Sequence, residues 1–272
     1  MISEDFRKEA QEKLSGKWGK GVLITLAYLF ITFLLSLIGE KINNETLSLI
    51  ITIIELLIGV PLAYGLINSF IKIFNNEDVS VFDFISTGFS NYSRSWGVAI
   101  FTLLKLLVPM VLMILSIILI MSGFLGSIIP AMQNSIDINH SLLPIDPSTI
   151  DPSLINPSAL LISLAGFVLY IISIILSITW SYYYKLAYII AIDEPNLTSK
   201  EVVNKSKEYM KGNRFKLFCL ELSFIGWAIL AAFTFGIGFL WLLPYIQVSE
   251  ISFARFVCGK KEEKPIETTE NN

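Results

Sequence analysis

Charge is scarce in this chain. Only 16% of its 272 residues are Asp, Glu, Lys or Arg, against about 25% in soluble domains. Apolar residues make up 54% and the mean hydropathy is +0.66. A globule of this size would lack the polar surface that water requires. Histidine is scarcer still: His140, in a Pro-rich stretch, is the only one. A Ser-His-Asp triad, a Cys-His pair and an HExxH zinc site each need a well-placed histidine, so none can be built in the apolar body. The two cysteines, Cys219 and Cys258, are far apart in sequence and form no CxxC. They read as inert thiols rather than a metal or redox pair. No GxxxxGK[ST] loop is present, which excludes a P-loop motor, and Gly88-Phe89-Ser90 lacks the closing glycine of GxSxG. A net charge of −3 gives no electrostatic case for nucleic acid. The expectation is therefore no catalytic residue, no cofactor and no metal.

What is present is long apolar runs. The stretches 21–39, 106–136, 152–184 and 222–249 contain no charged residue. About 20 helical residues cross the hydrocarbon core, so the fold class is all-α, a polytopic membrane protein. Six spans fit the pattern: roughly 20–39, 46–72, 96–122, 159–188, 215–235 and 238–258. A single helix over 215–258 would be about 66 Å long, twice the core, and Gly236-Ile237-Gly238 is the natural place for a reversal. The first run is longer than the h-region of a signal peptide and lacks an Ala-x-Ala-like site, so it reads as a retained span.

Basic residues set the threading, because loops on the cytoplasmic side carry excess Lys and Arg. With six spans, all of the 20 basic residues except Lys41 and Lys105 fall on one side, in the leading segment, two inner loops and the tail. Both termini are then cytoplasmic; five spans would strand a basic tail outside. The outer loop 130–158 has no basic residue and repeats Ile145-Asp146-Pro147-Ser148 as Ile150-Asp151-Pro152-Ser153 and Ile155-Asn156-Pro157-Ser158, which reads as an extended spacer. The polar tail 259–272 reads as disordered.

One membrane domain, 1–258, divides into units 1–75, 77–192 and 193–258. In each, an amphipathic interfacial helix leads into a helical hairpin. The first has Ser3 as its expected cap, with Phe6, Ala10, Leu14 and Trp18 at i+4 spacing and Gly16 near its end. The second has Ser80 and Asp83 at capping-box spacing, then Phe84, Phe89, Arg94 and Trp96. The third has Thr198 and Glu201 at the same spacing, then Val202, Val203 and Met210, with Gly212 before Arg214 and Phe215. Trp18, Trp96, Arg94, Arg214 and Phe215 read as interfacial anchors at headgroup level. Together the three helices would form a cytoplasmic collar that docks the bilayer, including anionic lipid, or a membrane protein partner.

Charges at membrane depth are the remaining candidates. Glu55 and Lys105 each lie nine residues from a span end, about 14 Å deep, and can meet as an ion pair. Pro109, one turn beyond Lys105, is a candidate kink. Glu221 and Glu250 fall in the inner halves of the last two spans, with Lys185 and Gln247 nearby. They would line a polar cavity open to the cytoplasm, suited to a proton or cation.

Ser206-Lys207-Glu208-Tyr209-Met210-Lys211-Gly212-Asn213, followed by Phe218, then Glu221-Leu222-Ser223-Phe224-Ile225-Gly226-Trp227 and Pro244-Tyr245, carries a resemblance. With Leu14, Gly16 and Trp18, it resembles the uncharacterised bacterial integral membrane family called domain of unknown function 975. The resemblance implies a multi-pass protein of the bacterial cytoplasmic membrane and brings no activity or catalytic residue. Its specific motif lies within 182–256, and the loop 130–158 stands out as an insertion. A weaker likeness in layout to the membrane domain joined to some glycerophosphodiester phosphodiesterases implies lipid handling, without the soluble domain that carries their chemistry. The leading expectation is a non-enzymatic scaffold that binds lipid or a partner through the collar. The alternative is a small transporter or permease subunit using the intramembrane charges, and a membrane enzyme ranks third.

Overall fold

The computed structural model describes residues 2–40, 44–138 and 156–259, and every described element is a helix. In chain order these are α1 (Ser3–Leu14), α2 (Trp18–Glu40), α3 (Glu45–Phe74), α4 (Asp83–Ser90), α5 (Tyr92–Ile138), α6 (Pro157–Tyr184), α7 (Ala187–Asp193), α8 (Ser199–Met210), α9 (Arg214–Leu222), α10 (Ile225–Phe233) and α11 (Phe239–Val257). Five segments are long and apolar enough to cross a membrane: Trp18–Leu37, Thr46–Phe74, Tyr92–Ser127, Pro157–Asp193 and Arg214–Phe233. Large side chains such as Phe30, Phe33, Leu49, Ile118 and Leu161 stand exposed along them, a surface that water does not tolerate over such an extent. The expected sixth span, α11, is not among the five. Gln247, Glu250 and Arg255 dilute its apolar character, and Val248–Ala254 are buried in protein instead.

The chain forms two compact units, Met1–Thr102 with Tyr182–Asn272, and Leu103–Ser181. In the smaller unit the C-terminal part of α5 and the N-terminal part of α6 meet through small residues. A Cβ on Gly123 would lie 2.4 Å from Ser163 Oγ, one on Gly166 would lie 2.8 Å from the Ile120 nitrogen, and Ser163 Oγ donates to Ile120 O at 3.3 Å. Small residues let helix backbones approach closely where hydrocarbon surroundings supply no hydrophobic drive.

In the larger unit the amphipathic helices fold inward. Phe6, Ala10 and Leu14 of α1 are buried, and the Phe6 ring meets Phe253 and Phe256 of α11 edge-on at 5.4 and 5.5 Å. Helix α4 lies along α3 with the backbones in contact: a Cβ on Gly65 would fall 1.8 Å from Phe84 O, and one on Gly88 would fall 2.3 Å from Pro61 O. Neither position can carry a side chain without separating the helices. Helix α8 buries Val202, Val203, Ser206 and Met210 and packs on α7. Much of the apolar faces expected to rest in lipid is thus covered by the protein itself, while Phe89 of α4 stays 43% exposed. The lead-in turns after α1 and α8 share a glycine at positive φ, Gly16 at 73° and Gly212 at 83°, a region L side chains avoid. Beyond α10, Gly236 at φ 87° reverses the chain, and α11 packs back on α10.

Several boundaries differ from the sequence reading. Ser3 is the first helical residue of α1 and not its cap; Ile2 holds the cap position and its N–H donates to Asp5 Oδ2 at 2.8 Å. Asp83 returns to the Ser80 N–H at 3.1 Å, while in the third unit the full box forms between Thr198 and Glu201. Helix α5 continues to Ile138, so 130–138 is helical and not spacer, and it runs through Pro109 unbroken. Pro157 opens α6, because a first-turn residue needs no N–H and Asn156 Oδ1 accepts from Ser158 N at 3.1 Å. The rest of the repeat loop, with His140, and the tail from 260 lie outside the described residues.

Candidate functional site

Two helical runs of the larger unit are interrupted, and charged residues stand at both interruptions. The first lies at Lys185-Leu186 between α6 and α7, the second at Ser223-Phe224 between α9 and α10. Lys185 Nζ lies 3.2 Å from Glu250 Oε1 on α11 and 3.3 Å from Glu221 Oε1 on α9. Glu221 Oε2 accepts a short hydrogen bond from the Tyr182 hydroxyl. The Glu221 Oε1 atom is buried and has no hydrogen-bond donor among the described residues, since the Lys185 ammonium pairs with it outside hydrogen-bonding geometry. Glu250 is 9% exposed. Removing a carboxylate from water is costly unless it is paired, so the single ammonium anchors two helices to the bend of a third. The structure thus brings Lys185, Glu221 and Glu250 together. Gln247 is half-buried one turn before Glu250 on α11 and joins none of the three by a hydrogen bond. Glu55 and Lys105 belong to different compact units.

Tyr182 was not singled out by sequence reasoning, although the i, i+3 spacing of Tyr182 and Lys185 places both on one helical face.

Around this cluster the lead-in helices are tied down by polar locks. The guanidinium of Arg94, at the start of α5, donates from Nε to Ala191 O at 2.9 Å, from Nη1 to Leu197 O at 2.8 Å and from Nη2 to Glu194 O at 2.8 Å. These carbonyls lie at and just beyond the C-terminus of α7, where the helix leaves them without intrahelical partners and the dipole favours a cation. Arg94, expected as a headgroup anchor, is committed to backbone. Trp96 Nε1 donates to Leu57 O at 3.4 Å. Pro61 lies four residues on within α3 and has no N–H for that carbonyl. Trp18 stacks obliquely 6.0 Å from the Tyr245 ring.

The acidic pairs before the second and third lead-in helices also have partners. Asp78 binds Lys20 at 2.7 Å, Asp193 binds Arg255, and Glu194 binds Lys205 at 2.5 Å. The Lys20 ammonium holds the Asp78 carboxyl below its ordinary range, and Glu194 raises Lys205. The Thr198 N–H and hydroxyl similarly depress Glu201. Ser252 Oγ donates to Glu9 Oε2 at 2.5 Å, joining α1 to α11. Lys17 Nζ donates to Ile73 O at 3.2 Å and to Asn76 Oδ1 at 2.8 Å.

The third lead-in differs. Lys207, Lys211, Arg214 and Lys216 form no ion pair among the described residues. The Arg214 guanidinium lies 4.1 Å and Lys207 Nζ 5.9 Å from the centre of the same Tyr183 ring, and Lys216 Nζ lies 5.4 Å from the Phe256 ring. Beside them Phe215 is 74% exposed. No group of three or more His, Cys, Asp or Glu among the described residues could hold a metal ion.

Residues 1–261 match the family described as "Protein of unknown function (DUF975)", and the chain belongs to that family. No curated protein and no solved structure matches the chain.

Proposed function

We propose that this member of the family is a non-enzymatic membrane scaffold that holds anionic lipid or a membrane protein partner on a cytoplasmic collar. In this reading six spans in three hairpins cross the cytoplasmic membrane of a bacterium, with both termini in the cytoplasm. The observation that carries it is the inward packing of α1, α4 and α8, whose Phe6, Leu14, Phe84, Val202 and Met210 are buried, with Glu9 of α1 and Lys205 of α8 bonded to neighbouring elements. A surface fixed in this way presents its cations as a rigid pattern, and preorganisation lowers the entropic cost of binding. The contact of α1 with the C-terminal half of α11 supports six spans, because it puts the first helix and the end of the last on one side. The absence of a histidine-based or P-loop motif from the sequence supports a role without chemistry.

The test is affinity purification in a mild, lipid-preserving detergent, with mass spectrometry of co-purified lipids and proteins. Anionic phospholipid enriched over the bulk membrane, or a stoichiometric partner, is the expected result. Recovery of neither overturns the reading.

One observation favours a second reading, a small transporter. Two carboxylates face one ammonium, with Lys185 at one helix interruption and Glu221 just before another, and broken helices are where membrane carriers place ion sites.

A further inference from the structure

Most basic side chains of the lead-in helices already have counter-charges or carbonyls. Lys8 pairs with Glu4, Lys20 with Asp78, Lys205 with Glu194 and Arg255 with Asp193, while Arg94 is held by three carbonyls. Over 206–218 the balance is different: Lys207, Lys211, Arg214 and Lys216 face a single carboxylate, Glu208. None of the four has an acidic partner among the described residues. Two of them lie against one aromatic ring, Tyr183. Cations without carboxylate partners attract an anion.

The backbone adds to this field. Asn213 at the N-cap of α9 does not cap it; its amide turns back to donate to Tyr209 O at 3.0 Å. The first turn of α9 therefore has no side-chain cap, and the positive end of its dipole adds to the local field.

The surroundings specify the rest of the ligand. Phe215 is 74% exposed and Phe218 38% exposed, and they stand where the apolar segment Arg214–Phe233 begins. A soluble phosphate or an acidic peptide has no use for that surface, whereas acyl chains cover it.

We infer that Lys207, Lys211, Arg214 and Lys216 at the α8–α9 turn form a binding site for the phosphate headgroup of an anionic phospholipid, whose acyl chains lie against Phe215 and Phe218. This assignment rests on the proposed collar function and locates its lipid site. Arg214 supplies a planar fork for phosphate oxygens and the lysines act as point charges. Juxtamembrane cations of this kind each contribute attraction to an anionic leaflet.

The experiment uses the full chain, delipidated in detergent and titrated with phosphatidylglycerol or phosphatidylcholine, with bound lipid counted by native mass spectrometry. The wild type is expected to prefer phosphatidylglycerol by about tenfold or more. The Lys207→Gln/Arg214→Gln variant is expected to lose most of that preference, and so is Lys211→Gln/Lys216→Gln, whose exposed side chains make a folding defect less of a concern. The Lys8→Gln/Lys200→Gln variant removes the same charge elsewhere and is expected to keep the preference. If all three double variants lose it equally, the attraction is diffuse and the site is wrong while the collar reading survives. If the wild type shows no preference, the site falls, and co-purification of a stoichiometric protein partner alone would then carry the collar reading. If water-soluble glycerol phosphate displaces the lipid at equal concentration, the site takes a free phosphate ester and the phospholipid assignment is overturned.

Discussion

Arg94→Gln is expected to destabilise the folded protein by about 3 kcal/mol or more, the largest effect of any single polar substitution proposed for this chain. Its guanidinium makes three charge-assisted hydrogen bonds to carbonyls of 191, 194 and 197. Each such bond contributes about 1.5–3 kcal/mol, and removal leaves the part-buried carbonyls of 191 and 197 without a donor, while Glu194 O keeps its bond from the Leu197 N–H at 3.2 Å. Glutamine can replace at most one of the three. Arg94→Lys is expected to recover only a fraction, because one ammonium cannot reproduce the fork that spans three acceptors. Thermal unfolding in detergent, followed by size exclusion, reads the effect as a lower midpoint and a smaller monodisperse fraction. A midpoint equal to that of the wild type contradicts the lock.

The second large effect concerns Lys185. Lys185→Met leaves Glu221 and Glu250 close together with no cation between them; Lys185 itself is partly exposed, so the cost falls below that of breaking a fully buried pair, to about 1–3 kcal/mol. Neutralising all three residues, Lys185→Met with Glu221→Gln and Glu250→Gln, is expected to restore most of the lost stability, because no uncompensated charge remains. Denaturation midpoints of the single and triple variants measure this coupling. A scaffold tolerates the triple variant with its lipid or partner binding intact. A carrier that uses the carboxylates for a proton or cation does not, so retained stability with lost cellular function supports the transport reading instead.

Much of the helical layout was legible because it depends on one-dimensional patterns. Apolar runs located the five long segments, Gly16 and Gly212 marked the turns after α1 and α8, and Thr198 with Glu201 announced the start of α8. The grouping of Lys185, Glu221 and Glu250 was legible because charges are so few in the apolar runs that these stood out. Depth also paired Glu55 with Lys105, which fall in different compact units. The distance of a residue from a span end says nothing about which way round the helix it points.

Arg94 was hidden for a different reason. Its partners are backbone carbonyls, and nothing in residue identity shows that a helix such as α7 will end beside it. The inward folding of α1, α4 and α8 was likewise hidden, because an amphipathic pattern is the same whether its apolar face meets lipid or protein. The start of α6 at Pro157 was obscured by the repeat: Asn-Pro reads equally as a turn or as a cap followed by the first helical residue.

The central claim is that all three lead-in helices and the end of α11 share the cytoplasmic side. The most direct measurement replaces Cys219 and Cys258 and introduces one cysteine at a time at exposed positions: Lys8→Cys, Asn204→Cys and Gly259→Cys on one side, Thr46→Cys and Ser158→Cys on the other. A membrane-impermeant thiol reagent is then applied to intact cells and to inverted vesicles. Labelling of 8, 204 and 259 only in inverted vesicles, and of 46 and 158 only in intact cells, is the predicted result. Labelling of 259 from outside while 8 is labelled from inside would mean that α11 does not cross, which contradicts both the six-span threading and the packing of α1 on α11.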